Sequence, residues 1–262
     1  MNKTDAVPVP ITVLGAIGRS GPIDRDIDGR TPSGGVRGPF DILDVETGTV
    51  PTYPVLWEHA AERERAMCFD GDSQAVPRQG ATPEEQDFID AKVERVWDTA
   101  AHAHFNINFR FNSQSTGMQF TIRRTIGGRA WQSVRMASAE HEKAVVLWTN
   151  TSLGMLLRWW HSNKQQAGRG NVGKTAMTTM PVLDMTKLTP TQLANSVQIF
   201  DSLCEKQLLA IHEIDTDVAR KELDERFGRE VLNLRESMLQ PDGALDVLRR
   251  KLAQEPSIRG NK

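Results

Sequence analysis

Between residues 104 and 136 apolar and polar side chains alternate with a period of two, the pattern of strands with one buried face. In HFNINFRFN (104–112) the alternation places Phe105, Ile107, Phe109 and Phe111 on one strand face. Met118, Phe120 and Ile122 alternate in the next run, and residues 131–136 predict a third strand. Gly127-Gly128 offers a tight turn between the last two. The expectation is a β-meander decorated by Arg110, Arg123, Arg124, Arg129 and Arg135.

Upstream, residues 1–10 read as a loose tail, and Ile11–Leu14 as a short apolar run. Gly15 to Pro39 is rich in Gly, Pro and Asp, which favours turns and excludes a helix interior. So long a loop is expected to be functional or braced by a partner. FDILDV (40–45) predicts a short strand, and residues 55–66, rich in helix formers, predict a helix. Residues 70–82 read as a loop. Thr82-Pro83-Glu84-Glu85 supplies an N-cap, a proline at N1 and acids in the first turn. Behind it Phe88, Ile89, Val93, Val96 and Trp97 recur at helical spacing.

Downstream, AVVLW (144–148) reads as a buried strand, and Thr151-Ser152 caps a helix reaching about Asn163. A polar loop over 164–174 and a strand-like run over 175–183 follow. Thr189-Pro190 opens a long amphipathic helix over 190–212, with Leu193, Val197, Phe200, Leu203, Cys204, Leu208 and Ile211 as its apolar stripe. Two more helices are expected near 215–233 and 243–254. The fold class is therefore α+β. A mixed or antiparallel sheet from about 104 to 183 packs with helices, and a helical C-terminal segment follows. Three parts are expected: a loop-rich and helical part (1–100), a basic sheet-and-loop part (101–188) and a helical part (189–262).

With 39% hydrophobic residues the chain can build a real core. It carries no signal-like apolar region and no run long enough to span a membrane, so a cytoplasmic protein without a membrane partner is expected. Cys68 and Cys204 lie far apart in sequence, which speaks for two reduced thiols in or near the core rather than a disulfide framework or zinc site.

The net charge of −2 conceals an uneven distribution: −8 over residues 1–100, +8 over 101–180 and −2 over 181–262. A basic middle third is the asymmetry of a surface that meets a polyanion. Asn106, Asn108, Asn112, Gln114, Gln119 and Gln132 interleave with its arginines. Arginine pairs bidentately with guanine and Asn or Gln with adenine, so this composition suits base reading as well as phosphate contact.

Other chemistry is weaker. Gly168 to Thr175 spells GxxxxGK[ST], but a helix precedes it and a β-leaning run follows, the reverse of a phosphate-binding loop. The better reading is a flexible loop that approaches a nucleic-acid backbone, with Arg169 and Lys174 as phosphate partners; a nucleotidase is the lesser alternative. His102 and His104 have no third ligand near in sequence, and no Ser/His/Asp arrangement emerges. No catalytic or metal-binding residue is assigned.

HFNINFRFNSQSTGMQFTIRRTIGGRAWQSVR (104–135) resembles a segment near the end of class I adenine-specific DNA methyltransferases of restriction-modification and phage-defence systems. AVVLWTNTSLGMLLRWW (144–160) is similar to their apolar strand, Asn-(Ser/Thr)-(Ser/Thr)-Leu-Gly and helix. TTMPVLDMTKLTPTQL (178–193) resembles the strand-Pro-hairpin before their terminal helix. GRSGPIDRDI (18–27), GPFDIL (38–43) and YPVLWEH (53–59) extend the resemblance, which covers roughly residues 11–234. It implies a target-recognition region that reads double-stranded DNA while a Rossmann-like domain binds S-adenosylmethionine and flips the adenine. The FxGxG-like cofactor loop and the (Asn/Asp/Ser)-Pro-Pro-(Tyr/Phe) motif are absent from this sequence. The expectation is a split subunit, truncated product or stand-alone specificity module, with the cofactor on a methyltransferase partner or missing domain. Its DNA-binding residues are expected to be Arg110, Asn112, Gln114, Arg123, Arg124, Arg129, Arg135, Arg169 and Lys174. The alternative is a structural interaction protein or an inactive remnant.

Overall fold

A computed structural model describes residues 9–30, 32, 37–43, 52–60, 62–165 and 167–260. Along the chain lie β1 (Ile11–Val13), α1 (Leu14–Ile17), β2 (Arg19–Ser20), β3 (Phe40–Leu43), β4 (Tyr53–Leu56), β5 (Cys68–Phe69) and β6 (Ser73–Pro77). Then come α2 (Pro83–Trp97), β7 (Ala101–Asn106), β8 (Asn108–Arg110), β9 (Met118–Gly127) and β10 (Trp131–Arg135). The remainder is α3 (Ala139–Asn150), α4 (Ser152–His161), β11 (Asn163–Lys164), β12 (Arg169–Asn171), α5 (Lys174–Thr178), β13 (Pro181–Leu183), α6 (Pro190–Leu203), α7 (Val218–Glu230), α8 (Glu236–Leu239), α9 (Ala244–Gln254) and α10 (Pro256–Arg259). The fold is α+β, as the pattern predicts. No helix among the described residues is long and apolar enough to cross a membrane.

The main sheet has the order β2-β10-β7-β9-β4-β6-β3, with β5 also against β9. It is mixed: β4 and β5 run parallel to β9, and the other pairs are antiparallel. The expected meander is not formed. β4 and β5 occupy one edge of β9, and β10 pairs with β7 rather than with its sequence neighbour. The link turns at Gly128, whose N–H bonds Leu56 O at 3.2 Å, and at Arg129 with φ 53°. A Cβ at Gly128 would sit 1.9 Å from the Trp57 ring, so only glycine fits there.

The apolar run 144–148 is helix, not strand. Ser138 caps α3 by accepting from His141 N, and Glu140 and Glu142 fill its first turn. The run is apolar on every side because α3 is enclosed by β7, β9, β13, α4 and α6. Residues 55–66 do not form the expected helix: β4 ends at Leu56, Asp72 takes the amides of Trp57 and Glu58, each at 2.8 Å, and Arg63–Arg65 make a single 3-10 turn. α6 ends at Leu203, well short of 212, and Ile211 joins a different apolar cluster. The strand-like run after 174 begins instead as α5. Of the expected elements, residues 1–8 of the tail, 31 and 33–36 of the long loop, 44 and 45 of the short strand, 61 of the helix over 55–66 and 166 of the polar loop lie outside the described residues.

His104 is fully buried on β7, its Nε2 2.6 Å from Thr125 Oγ1 and 3.1 Å from Ala101 O. Burial drives its pKa down to about 3, against the pull of the Ala101 carbonyl. The folded value lies below that of the unfolded chain, so unfolding at acid pH takes up a proton. Stability from this group is complete above about pH 6.5 and falls by about 1.4 kcal/mol per pH unit as pH drops toward 3. Urea midpoints measured from pH 7 to 4 should show this slope, and His104→Gln should remove that part of it.

Candidate nucleic-acid interface

A small sheet, β11-β12-β8, stands apart from the main one. The expected strand 104–112 is broken at Ile107, where Asn106 Oδ1 accepts from Asn108 N at 3.0 Å, and its halves serve different sheets. Phe105 faces the principal core, whereas Phe109 and Phe111 join a second cluster with Met155, Ile211 and Leu252. Under the small sheet, Arg158 is fully buried and lies 4.3 Å from the Phe105 ring centroid and 4.6 Å from that of Phe109. It donates to Gly117 O at 3.2 Å and to Asn106 O. Burial lowers its pKa to about 9.

Register decides what each face presents. In β12–β8, Arg169 stands opposite Arg110, Gly170 opposite Phe109 and Asn171 opposite Asn108. In β11–β12, Asn163 stands opposite Asn171 and Lys164 opposite Gly170. Directly opposed residues share a face and neighbours along a strand do not. Phe109 and Gly170 therefore point inward; a Cβ on Gly170 would come 2.1 Å from the Phe111 ring. The outer face carries a row of three asparagines, Asn163, Asn171 and Asn108, beside the arginine pair Arg169 and Arg110.

This face forms one wall of a cleft of about 480 Å³, completed by His59, Glu64, Ser113 and Gln114. Glu64 is 2% exposed and holds the far wall together. It accepts from Ala60 N at 3.0 Å and Gln114 Nε2 at 2.5 Å, and its Oε1 lies 2.7 Å from His59 Nδ1. Gln114 Oε1 in turn accepts from Arg110 N at 2.6 Å, fixing the strand end that carries Arg110. The side chains of Arg110 and Arg169 are exposed, and no carboxylate among the described residues pairs with either. Like charges opposed across a strand pair repel. The cleft can therefore offer two guanidinium forks and several amides to an anionic, hydrogen-bonding ligand.

Of the nine residues expected to bind DNA, Arg110, Gln114 and Arg169 meet here. Arg123 and Arg135 on the large sheet and Arg129 in the β9–β10 link pair with the acidic N-terminal third: Arg123 with Asp70 at 3.4 Å, Arg129 with Glu58, and Arg135 with Asp98 at 2.9 Å. The Asp98 carboxyl is held below its ordinary pKa, first by Arg135 and then by Arg19. Arg124 donates to Ala100 O at 3.0 and 3.2 Å and lies 5.7 Å from the Trp97 ring centroid. Asn112 is half-buried, and a Cβ added at Gly168 would lie 2.8 Å from its Cγ. Lys174 lines a separate hollow with Arg19, Lys92 and Arg95. The basic segment thus does not gather on one face.

Three interleaved amides are structural. Asn106, Gln119 and Gln132 are buried. Gln119 Nε2 donates to Arg63 O and Ala66 O at 3.0 and 2.9 Å, and Gln132 Nε2 to Gly21 O and Pro22 O, both at 2.8 Å. The GxxxxGK[ST] stretch is not a phosphate cradle: residues 169–171 are hydrogen-bonded into β12, and α5 spans only five residues. His102 stacks on Phe120 at 4.9 Å. Sequence reasoning missed Asn163, Asn171, His59 and Glu64. One signal was present: NFR (108–110) and RGN (169–171) carry the same outward residues in opposite order, as antiparallel partners do.

Over 96% of its length the chain is similar to part of the type IIG restriction endonuclease BpuSI, with a TM-score of 0.55 and 10% sequence identity. The match covers 31% of that protein's chain, and at this identity it shows a shared fold. No protein-family model matches the sequence, and no curated protein does.

Proposed function

We propose that this chain is a DNA-binding target-recognition module of an adenine-specific DNA methyltransferase of restriction-modification type, and that the outer face of β11-β12-β8 meets the duplex. The observation that carries the reading is the directly opposed pair Arg110 and Arg169, free of carboxylate partners among the described residues. Phosphates or guanine edges relieve that repulsion, and the asparagine row beside it suits adenine. Twisted strands with short polar side chains are a known way to enter a groove. The resemblance to methyltransferase recognition regions and the fold shared with a restriction endonuclease support the same reading. In this reading methyl transfer and S-adenosylmethionine belong to a separate catalytic subunit or domain.

The test is duplex binding by the full chain, with sites selected from a randomised pool. The wild type should enrich a defined sequence and bind more weakly as salt rises. Arg110→Ala with Arg169→Ala should weaken binding at least ~10-fold and reduce the salt slope by about 2. Binding that ignores salt, or a double variant that binds like the wild type, would refute the assignment.

A further inference from the structure

The chain's two cysteines, 136 positions apart in sequence, are neighbours in the fold. Cys204 caps the C-terminus of α6, and its carbonyl accepts from Met67 N at 2.8 Å and from Cys68 N, at the start of β5, at 3.1 Å. That second bond holds the two α-carbons within about 7 Å, because a carbonyl oxygen lies about 2.4 Å and an amide nitrogen about 1.5 Å from its own α-carbon. Bridged cysteines span roughly 4.4–6.8 Å. Both thiols are free, Cys68 half-buried and Cys204 buried at 9% exposure. We propose that Cys68 and Cys204 are a modification site: a hydroperoxide converts them to a reversible disulfide that staples β5, at the edge of the main sheet, to the end of α6.

The two sulfurs have distinct roles. The thiol contact from Cys204 holds the Cys68 thiol below its ordinary pKa, although burial opposes it. The same contact, together with burial, pushes Cys204 up. Cys68 is thus both the more exposed residue and the one whose thiol more readily becomes the nucleophilic thiolate. Its thiolate attacks hydrogen peroxide: an S–O bond forms, the O–O bond breaks, and the departing hydroxide takes a proton to become water. Cys204, losing its proton, then attacks the Cys68 sulfenic acid. An S–S bond forms, the S–O bond breaks, and the hydroxyl leaves with that proton as a second water. The thiols lose two electrons and two protons, and one peroxide becomes two waters.

The two ends are already held in place without the bridge. Leu208 N, just after α6, bonds Arg65 O at 2.9 Å, just before β5. Oxidation therefore adds a covalent link between segments the fold has already joined, and little rearrangement is required.

The experiment treats the native full chain with a small excess of hydrogen peroxide and measures intact mass, free thiols and melting temperature. The expected result is a loss of about two mass units, a peptide joining Cys68 to Cys204, and loss of both free thiols. The melting temperature should rise by several degrees, and dithiothreitol should reverse every change. Cys204→Ser should instead accumulate a Cys68 sulfenic acid that dimedone traps. Both thiols still titrating after treatment, Cys68 stopping at the sulfinic acid in the wild type, or only intermolecular dimers would each overturn the proposal. None of these readouts depends on duplex binding.

Discussion

Asp224→Ala should destabilise the protein by about 3–5 kcal/mol, because it removes the buried one of the two carboxylates that balance the buried Arg249 guanidinium. Asp224 on α7 is 3% exposed. It accepts from Ser152 N at 2.8 Å and Ser152 Oγ at 2.5 Å, the first residue of α4, and from Arg249 Nη1 of α9 at 2.6 Å. One carboxylate therefore joins three helices. Arg249, at 2% exposure, keeps Asp246 on its other side, but Asp246 lies nearer solvent. Truncation also strands the Ser152 amide and leaves a void beside Phe227 and Leu245, which line the same small hollow. Chemical denaturation measures the effect. A loss below about 1 kcal/mol would mean that Arg249 reaches water in the variant and that the triple junction contributes little.

Charge reversal at two positions should have the largest effect on binding. With Arg110→Glu and Arg169→Glu together, duplex affinity at about 0.1 M salt should fall at least ~100-fold, because two attractive groups become two repulsive ones. Arg123→Glu with Arg129→Glu changes the formal charge equally. It should lower affinity less than ~5-fold, since those arginines are already balanced by Asp70 and Glu58. Equal losses in the two double variants would mean that net charge governs binding and that the cleft has no special place in it. Melting temperatures measured alongside separate lost contact from lost fold.

How far the sequence discloses these features depends on whether the signal is local. Thr82 and Thr189 both cap as their spacing predicts, and Thr189 forms a full capping box with Gln192. Phe105, Phe109, Phe111 and Phe120 are all core. The run Ala144–Trp148 misleads because a helix enclosed on every side loses its polar stripe, and five apolar residues suit a buried strand equally well. The start signal Ser138 with Glu140 and Glu142 stood ahead of it. The site is less legible, because β8 meets β12 across some sixty residues and no local period announces such a pairing. Segment charge is a poor guide for a related reason. The −8 of the first third returns in space as Asp70, Glu58 and Asp98, beside the very arginines that make the middle third basic.

The inward–outward split of β11-β12-β8 separates the side chains that hold the sheet from those that face the cleft. Phe109 and Gly170 anchor the strands on Phe111, and the rest of that cluster lies beneath them. Asn108, Arg110, Asn163, Arg169 and Asn171 carry none of that anchoring. Their side chains can be exchanged without a cavity opening or a register slipping. Such a surface can change its chemistry one side chain at a time while the scaffold beneath it stays the same.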